Sequence, residues 1–151
     1  MGLLDFVKDA GEKIFEFASG TSEAKELEAG QKLTDVITGL GLRADNLAIT
    51  FNSGIATVRG TAPTQEEKEK ILLALGNTRG VAKVDDQLQV SKREPEATFY
   101  TVTSGDTLSK IAKNFYGDSN RYMLIFEANR PMLKDPNKIY PGQMLRIPPL
   151  H

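Results

Sequence analysis

The sequence contains no cysteine and no tryptophan, and its one histidine, His151, is the last residue. Disulfides, thiolate metal centres and cysteine nucleophiles are thereby excluded. A chain end is a poor place for a catalytic imidazole. No stretch approaches the roughly 18 consecutive apolar residues of a membrane span. The opening segment MGLLDFVKDAGEKIFEFA is broken by Asp5, Lys8, Asp9, Glu12 and Lys13, whereas a secretory signal needs an uninterrupted apolar core. Phe6 stands where a myristoylation signal has Ser or Thr. These absences predict a cytoplasmic protein. An excess of positive charge is lacking too: 19 Lys+Arg stand against 20 Asp+Glu, which argues against nucleic acid as a partner.

What is present is an ordinary globular composition, 40% hydrophobic and 26% charged over 151 residues, close to the size of one domain. The charge is unevenly placed. Residues 1–96 carry 12 basic and 16 acidic side chains, and residues 97–151 carry 7 and 4. The two parts are expected to attract each other weakly and in a salt-dependent way.

Hydrophobic periodicity predicts a helix, or a pair of short helices, over residues 3–18: Leu3, Val7, Ala10, Ile14, Phe17 and Ala18 recur at helical spacing, and Gly11 can end the first of a pair. Ser22 can cap the next helix, whose face is Leu33, Val36, Ile37 and Leu40. Two alternating runs, 47–51 and 55–59, flank Asn52-Ser53-Gly54 and predict a hairpin. Thr64-Gln65-Glu66-Glu67 is a capping box, in which the Thr side chain caps the backbone and Glu67 reaches back. It opens a helix with Ile71, Leu72 and Leu75 on its apolar face, ended by Gly76. Gly80 closes a short loop before a strand from Val81 to Val90. Residues 91–97 have no apolar period and contain Pro95, which marks a linker. The pattern then restarts: a strand near 99–102, two helices, and a final strand over 143–147.

Residues 98–148 resemble the LysM family through Tyr100, Val102, Gly105-Asp106-Thr107-Leu108, Ile111-Ala112, Tyr116-Gly117, Ala128-Asn129, Ile139, Pro141-Gly142-Gln143, Leu145 and Ile147-Pro148, in order and at the family's spacing. Residues 25–90 resemble the BON family through the hairpin at Gly54, Val58-Arg59-Gly60, the helix 64–75, and Gly80-Val81 followed by Val84, Leu88 and Val90. Asp86 stands where that family often has Asn. The resemblances imply an α+β chain: a helical arm over 1–22, a BON-like αββαβ module over 23–90, a linker over 91–97, and a βααβ LysM module over 98–149. The combination, opening on MGLLDFVKDAGEK, resembles a family of small cytoplasmic bacterial proteins that bind potassium. That resemblance implies K⁺ as the ligand, a sensing role, and a conformational response to the ion.

Selective K⁺ sites are built from backbone carbonyls that replace the hydration shell, so they leave little trace in side-chain types. Helix C-termini supply such carbonyls. With K⁺ implied by the resemblance, two places fit: residues 6–11 and residues 76–81. The expected site joins the carbonyls of Val7 and Ala10 to those of Gly76, Thr78 and Gly80, tying the arm to the BON core; the bland alternative is two ordinary glycine caps. Asp85-Asp86 reads as a pair of exposed strand-end acids, because the ligand spacing of a calcium loop is absent.

The LysM resemblance also implies a shallow groove for N-acetylglucosamine-containing glycans. Here it would be lined by Ser104, Gly105, Asp106, Thr107 and Leu108 on one side and Asn137, Lys138, Ile139 and Tyr140 on the other. Several of these have evident structural work: Gly105-Asp106 is a turn and cap, and Leu108 and Ile139 suit a core. The N-terminal Leu/Phe stripe has a polar face of mixed charge rather than one rich in Lys and Arg, so packing on the BON module is expected in place of membrane association. No carboxylate pair, nucleophile–base arrangement or phosphate loop supports catalysis. The expectation is therefore a monomeric, cytoplasmic K⁺ sensor, not an enzyme, whose LysM module is free to engage a protein partner. An envelope adaptor that binds peptidoglycan through the LysM groove is the competing reading.

Overall fold

A computed structural model describes residues 2–6 and 23–149. The chain is mixed α+β. The first module is built from β1 (Gly2–Asp5), α1 (Glu23–Gly39), β2 (Asp45–Asn52), β3 (Ile55–Thr64), α2 (Gln65–Gly76) and β4 (Lys83–Lys92). Its four strands lie in the order β1-β4-β3-β2. The β2–β3 hairpin turns through Ser53 and Gly54, both at positive φ (50° and 83°), as a tight turn matched to strand twist requires. β3 and β4 are parallel, with Ile55 opposite Lys83 and Ala62 opposite Val90. α2 provides the crossover that parallel neighbours need.

Every third or fourth residue of α1 turns inward: Ala29, Leu33 and Ile37 are buried. With Phe51, Ala56, Val58, Ile71, Leu75, Val84 and Leu88 they form one apolar core. Thr64 caps α2, its hydroxyl accepting the Glu67 N–H at 3.1 Å. Glu67 does not reach back as the capping box predicted. Its carboxylate instead accepts the Arg43 N–H at 2.8 Å, securing the α1–β2 connection to the start of α2.

The start of the chain departs from the expected helix. Residues 2–5 pair antiparallel with β4, Leu3 opposite Asp85 and Leu4 opposite Val84. Leu4 and Phe6 pack against the core, while Leu3 is exposed. The helical spacing of Leu3 with Val7 and Ala10 also fits a short strand entering a different segment, and the unfilled edge of β4 decides for the strand. The rest of the expected 3–18 helix, with Gly11 and the Ser22 cap, lies outside the described residues.

The Asp85-Asp86 reading is also corrected. Both lie inside β4, not at its end. Alternation places Val84, Asp86 and Leu88 on the same, buried side. Asp86 is 8% exposed; its carboxylate accepts the Leu88 N–H at 3.0 Å and pairs with Lys68 of α2 at 3.2 Å. A buried carboxylate needs such partners.

β4 continues through Ser91 and Lys92 into the expected linker. The second module follows as β5 (Thr98–Thr101), α3 (Leu108–Tyr116), a 3₁₀ turn (Ser119–Arg121), α4 (Tyr122–Ala128) and β6 (Met144–Ile147). β5 and β6 pair antiparallel. Val102, Leu108, Ile111, Ala112, Ile125, Leu133, Leu145 and Ile147 form its separate core.

Candidate functional site

The loop after α2 leaves backbone oxygens without donors among the described residues. Asn77 donates its N–H to the Leu73 carbonyl at 2.9 Å and Thr78 to that of Leu75 at 3.2 Å. The Thr78 hydroxyl takes the Ala74 carbonyl at 3.0 Å. These bonds complete the helix end. The Thr78 carbonyl accepts the Val81 N–H at 3.1 Å, which, among the described residues, leaves one of its two lone pairs. Among the described residues no donor meets the carbonyls of Gly76 or Gly80.

The two glycines serve different purposes. Gly80 has φ +103°, backbone that a side chain strains. Gly76 is the last helical residue and has no such need. A Cβ placed on it would lie within the Phe6 ring. The glycine is therefore the seat of Phe6, whose own N–H donates to the Ala82 carbonyl at 2.9 Å. Phe6 thus fastens the start of the chain to both ends of the 76–82 loop, directly before Val7. Val7 and Ala10 themselves lie outside the described residues.

Asn77 belongs to this loop and also to the other module. Its amide donates to the Met144 carbonyl at 2.7 Å and accepts the Met144 N–H at 2.8 Å. Asn129, fully buried, does the same for Arg146, accepting its N–H at 2.8 Å and donating to its carbonyl at 2.9 Å. The edge of β6 turned away from β5 is thus closed by two asparagine side chains, one from each module.

A buried ion pair joins the modules as well. Arg146 donates from Nε and Nη2 to Glu69 Oε1 at 3.0 and 2.9 Å, and from Nη1 to the Ala128 carbonyl at 3.0 Å. Glu69 Oε2 accepts the Ala97 N–H at 3.0 Å and the Gln65 amide at 3.0 Å. The side chains are 7% and 3% exposed. The weak, screened attraction expected from net charge is accompanied by a specific, desolvated contact. Neither Asn77 nor the Glu69–Arg146 pair is singled out by the sequence: Asn77 falls in the short loop closed by Gly80, and Arg146 in the final strand.

The expected glycan-groove residues largely hold the LysM fold. Asp106 accepts the Tyr100 hydroxyl at 2.5 Å, and the Thr103 N–H and hydroxyl at 2.9 and 3.0 Å. The Tyr100 bond, then that of the Thr103 backbone, holds the Asp106 carboxyl below its usual range and pushes the Tyr100 phenol up. Thr107 caps α3 through the Lys110 N–H at 3.1 Å. The Gly105 carbonyl takes Lys110 Nζ at 3.1 Å. Leu108 is core, and Ile139 packs against it; Ser104 is exposed. Asn137 donates its N–H to the Asp135 carboxylate at 2.8 Å. Lys138 and Tyr140, from the groove set, share a cleft between the modules with Thr78, from the ion set.

No group of three or more His, Cys, Asp or Glu fit to hold a metal occurs among the described residues. An ion at the 76–80 loop would have to be held by backbone oxygen, the donor type suited to a large monovalent cation. No described helix is long and apolar enough to cross a membrane.

Comparison with known proteins fits this arrangement. The LysM domain model matches residues 100–148 and the BON domain model residues 28–92. The potassium binding protein Kbp of Escherichia coli O6:H1 is 50% identical over 149 residues, 98% of this chain and 99% of that one. The chain belongs to the Kbp family. An uncharacterized protein of Deinococcus radiodurans is 35% identical over 124 residues, 74% of this chain and 48% of its own length. An esterase of Mycobacterium tuberculosis H37Rv matches over 53 residues at 49% identity, 35% of this chain and 11% of that protein. The two domain matches and Kbp point to binding rather than catalysis.

Proposed function

We propose that this member of the Kbp family is a cytoplasmic K⁺-binding sensor, not an enzyme. The ion is held by the carbonyls of Gly76, Thr78 and Gly80 together with those of Val7 and Ala10. The observation that carries this reading is the loop itself: a helix end followed by a glycine at φ +103°, with the carbonyls of Gly76 and Gly80 free of described donors. Phe6, seated on Gly76, supports it by bringing the chain start to the same loop.

Sensing follows from where Asn77 sits. It lies between two ion-holding residues, and its side chain completes the edge of β6. K⁺ that orders the loop orders the Asn77 amide, and so favours the docked arrangement of the modules. The ion shifts that equilibrium by its difference in affinity for the docked and undocked states, and by no more.

The test is a two-dimensional NMR titration of the K⁺-free protein with KCl, against NaCl at matched ionic strength. Saturable shifts with K⁺ alone are expected at residues 5–13, 74–84 and 143–147. Equal, non-saturating shifts with both salts would reject the ion reading. A protein partner through the LysM module is compatible with it. Saturable retention on purified peptidoglycan would favour the envelope-adaptor reading instead.

A further inference from the structure

The chain has four methionines, and one of them sits against the contact that links the modules. Met132 lies in the α4–β6 loop, half-buried and packed on the LysM core. Its thioether sulfur accepts an N–H from the Asn77 amide at 3.3 Å. The same Nδ2 donates to the Met144 carbonyl at 2.7 Å, and Oδ1 of that amide accepts the Met144 N–H at 2.8 Å. Met132 therefore touches the side chain by which the first module completes the edge of β6. Met132 also lines the cleft of about 470 Å³ between the modules, space that admits a solute little larger than water.

A thioether packs as an apolar group and is a weak acceptor. An added oxygen makes it a polar, strongly accepting sulfoxide, a change that disrupts interfaces built on methionine. At Met132 the sulfur and Asn77 Nδ2 are in hydrogen-bond contact, and an oxygen does not fit between them. Either the amide turns toward the new acceptor and gives up Met144, or the Met132 side chain leaves its packing and Asn77 loses a neighbour from the second module. The matching pair, Asn129 with Arg146, lies wholly within the second module and is kept in both cases.

We propose that Met132 is a site of reversible oxidation by peroxide, and that its sulfoxide releases Asn77 from Met144 and loosens the junction. The sulfur lone pair attacks one oxygen of hydrogen peroxide. The O–O bond breaks as the S–O bond forms, the sulfur gives up two electrons, and the displaced hydroxide takes the remaining proton and leaves as water. A methionine sulfoxide reductase, with a dithiol as reductant, reverses the step, the oxygen again leaving as water. None of this rests on the K⁺ reading, because Asn77 and Met132 meet whatever the loop holds.

The test is hydrogen-peroxide treatment of the full chain in a sodium buffer. Peptide mass spectrometry reads which methionines gain one oxygen, and amide hydrogen exchange by NMR reads the two pairs on β6. Met132 is expected to be oxidised in the folded protein. Protection of the Met144 N–H should then fall about tenfold, the upper range for one neutral hydrogen bond, while that of the Arg146 N–H, held by Asn129, stays as it was. Reductase with dithiol should restore the protection. In Met132→Leu, a volume-conserving swap, peroxide sufficient to oxidise Met123, which is exposed, should leave Met144 protection unchanged. Met132 untouched when Met123 is fully converted would overturn the proposal. So would Met132 sulfoxide with Met144 protection intact, an equal loss at Met144 and Arg146, or the same loss in Met132→Leu.

Discussion

Replacing Gly76 by alanine probes how the start of the chain is attached. Gly76 is the last residue of α2 and is not among the glycines at positive φ, so alanine fits the backbone. In a helix interior alanine is favoured over glycine by about 0.5–1 kcal/mol, an upper bound at a last residue. Against this, the new methyl occupies the place of the Phe6 ring. The ring must leave and surrender its contact with the core. A fully buried Phe contributes about 1.5–3 kcal/mol, and Phe6 is half-buried, so the loss is about 1–2 kcal/mol. Gly76→Ala alone should therefore cost up to about 2 kcal/mol, and Phe6→Ala about 1–2 kcal/mol. The double variant removes the ring once. It should be about 1–2 kcal/mol more stable than the sum of the single effects predicts. Urea unfolding of the four proteins in a sodium buffer measures this coupling without contribution from K⁺. Additivity within about 0.5 kcal/mol would refute the seating of Phe6 on Gly76. K⁺ affinity, titrated separately, should fall in all three variants. If it is unchanged in all three, the chain start takes no part in the ion site.

Three further outcomes follow from the junction and the LysM turn. Glu69→Ala leaves the Arg146 guanidinium buried without its carboxylate and should cost about 3–5 kcal/mol, with a larger radius of gyration by small-angle scattering as the modules part; an unchanged radius would show that the pair does not hold them. Asn77→Ala deprives the Met144 N–H and carbonyl of partners and should uncouple K⁺ binding from the shifts at 143–147 while shifts at 76 and 80 persist; shifts at 143–147 undiminished would place the coupling elsewhere. Because the Asp106 carboxyl is held below its ordinary value of 3.8, its contribution to stability is complete above that value and is lost as pH falls through the lower, folded one. The LysM melting temperature should drop over that acid range and drop less in Asp106→Asn, which an identical pH profile in the two proteins would contradict.

Much of the fold was legible because local chemistry and tertiary packing agree over most of the chain. The period of Leu33, Ile37 and Leu40, the Ser53-Gly54 turn and the Thr64 cap each have one local solution, which the structure adopts. The misreadings came where a distant partner decides. Leu3 and Leu4 carry a spacing compatible with helix, and the open edge of β4 makes them strand. Asp86 looks like a surface acid until Lys68 of α2 and the Leu88 N–H are seen beside it. Gly76 looks like a turn glycine, and only the position of Phe6, seventy residues away, shows that it makes room for a ring. The LysM groove residues were legible as a motif because they are needed to fold the module, as Asp106, Thr107 and Leu108 demonstrate. Their presence alone is therefore weak support for glycan binding.

Under the proposed function, the junction is where a site made of backbone atoms would act on the second module. A two-stranded sheet such as β5–β6 has unfilled edges, and on β6 the groups of Met144 and Arg146 point away from its partner strand. Asn129 closes one pair from within the LysM module, so that pair is satisfied whether or not the modules touch. Asn77 closes the other from the BON module, so that pair is satisfied only when they do. The backbone on either side of Asn77 is that of Gly76 and Thr78, the proposed ion ligands. Any ligand that fixes this backbone removes freedom the Asn77 amide would otherwise lose on docking, and the same interaction energy is returned as tighter ion binding in the docked state. Glu69 and Arg146 add attraction at the junction but sit away from the loop, so in the proposed mechanism they would set how far docking is favoured at rest, and Asn77 how strongly it depends on the ion.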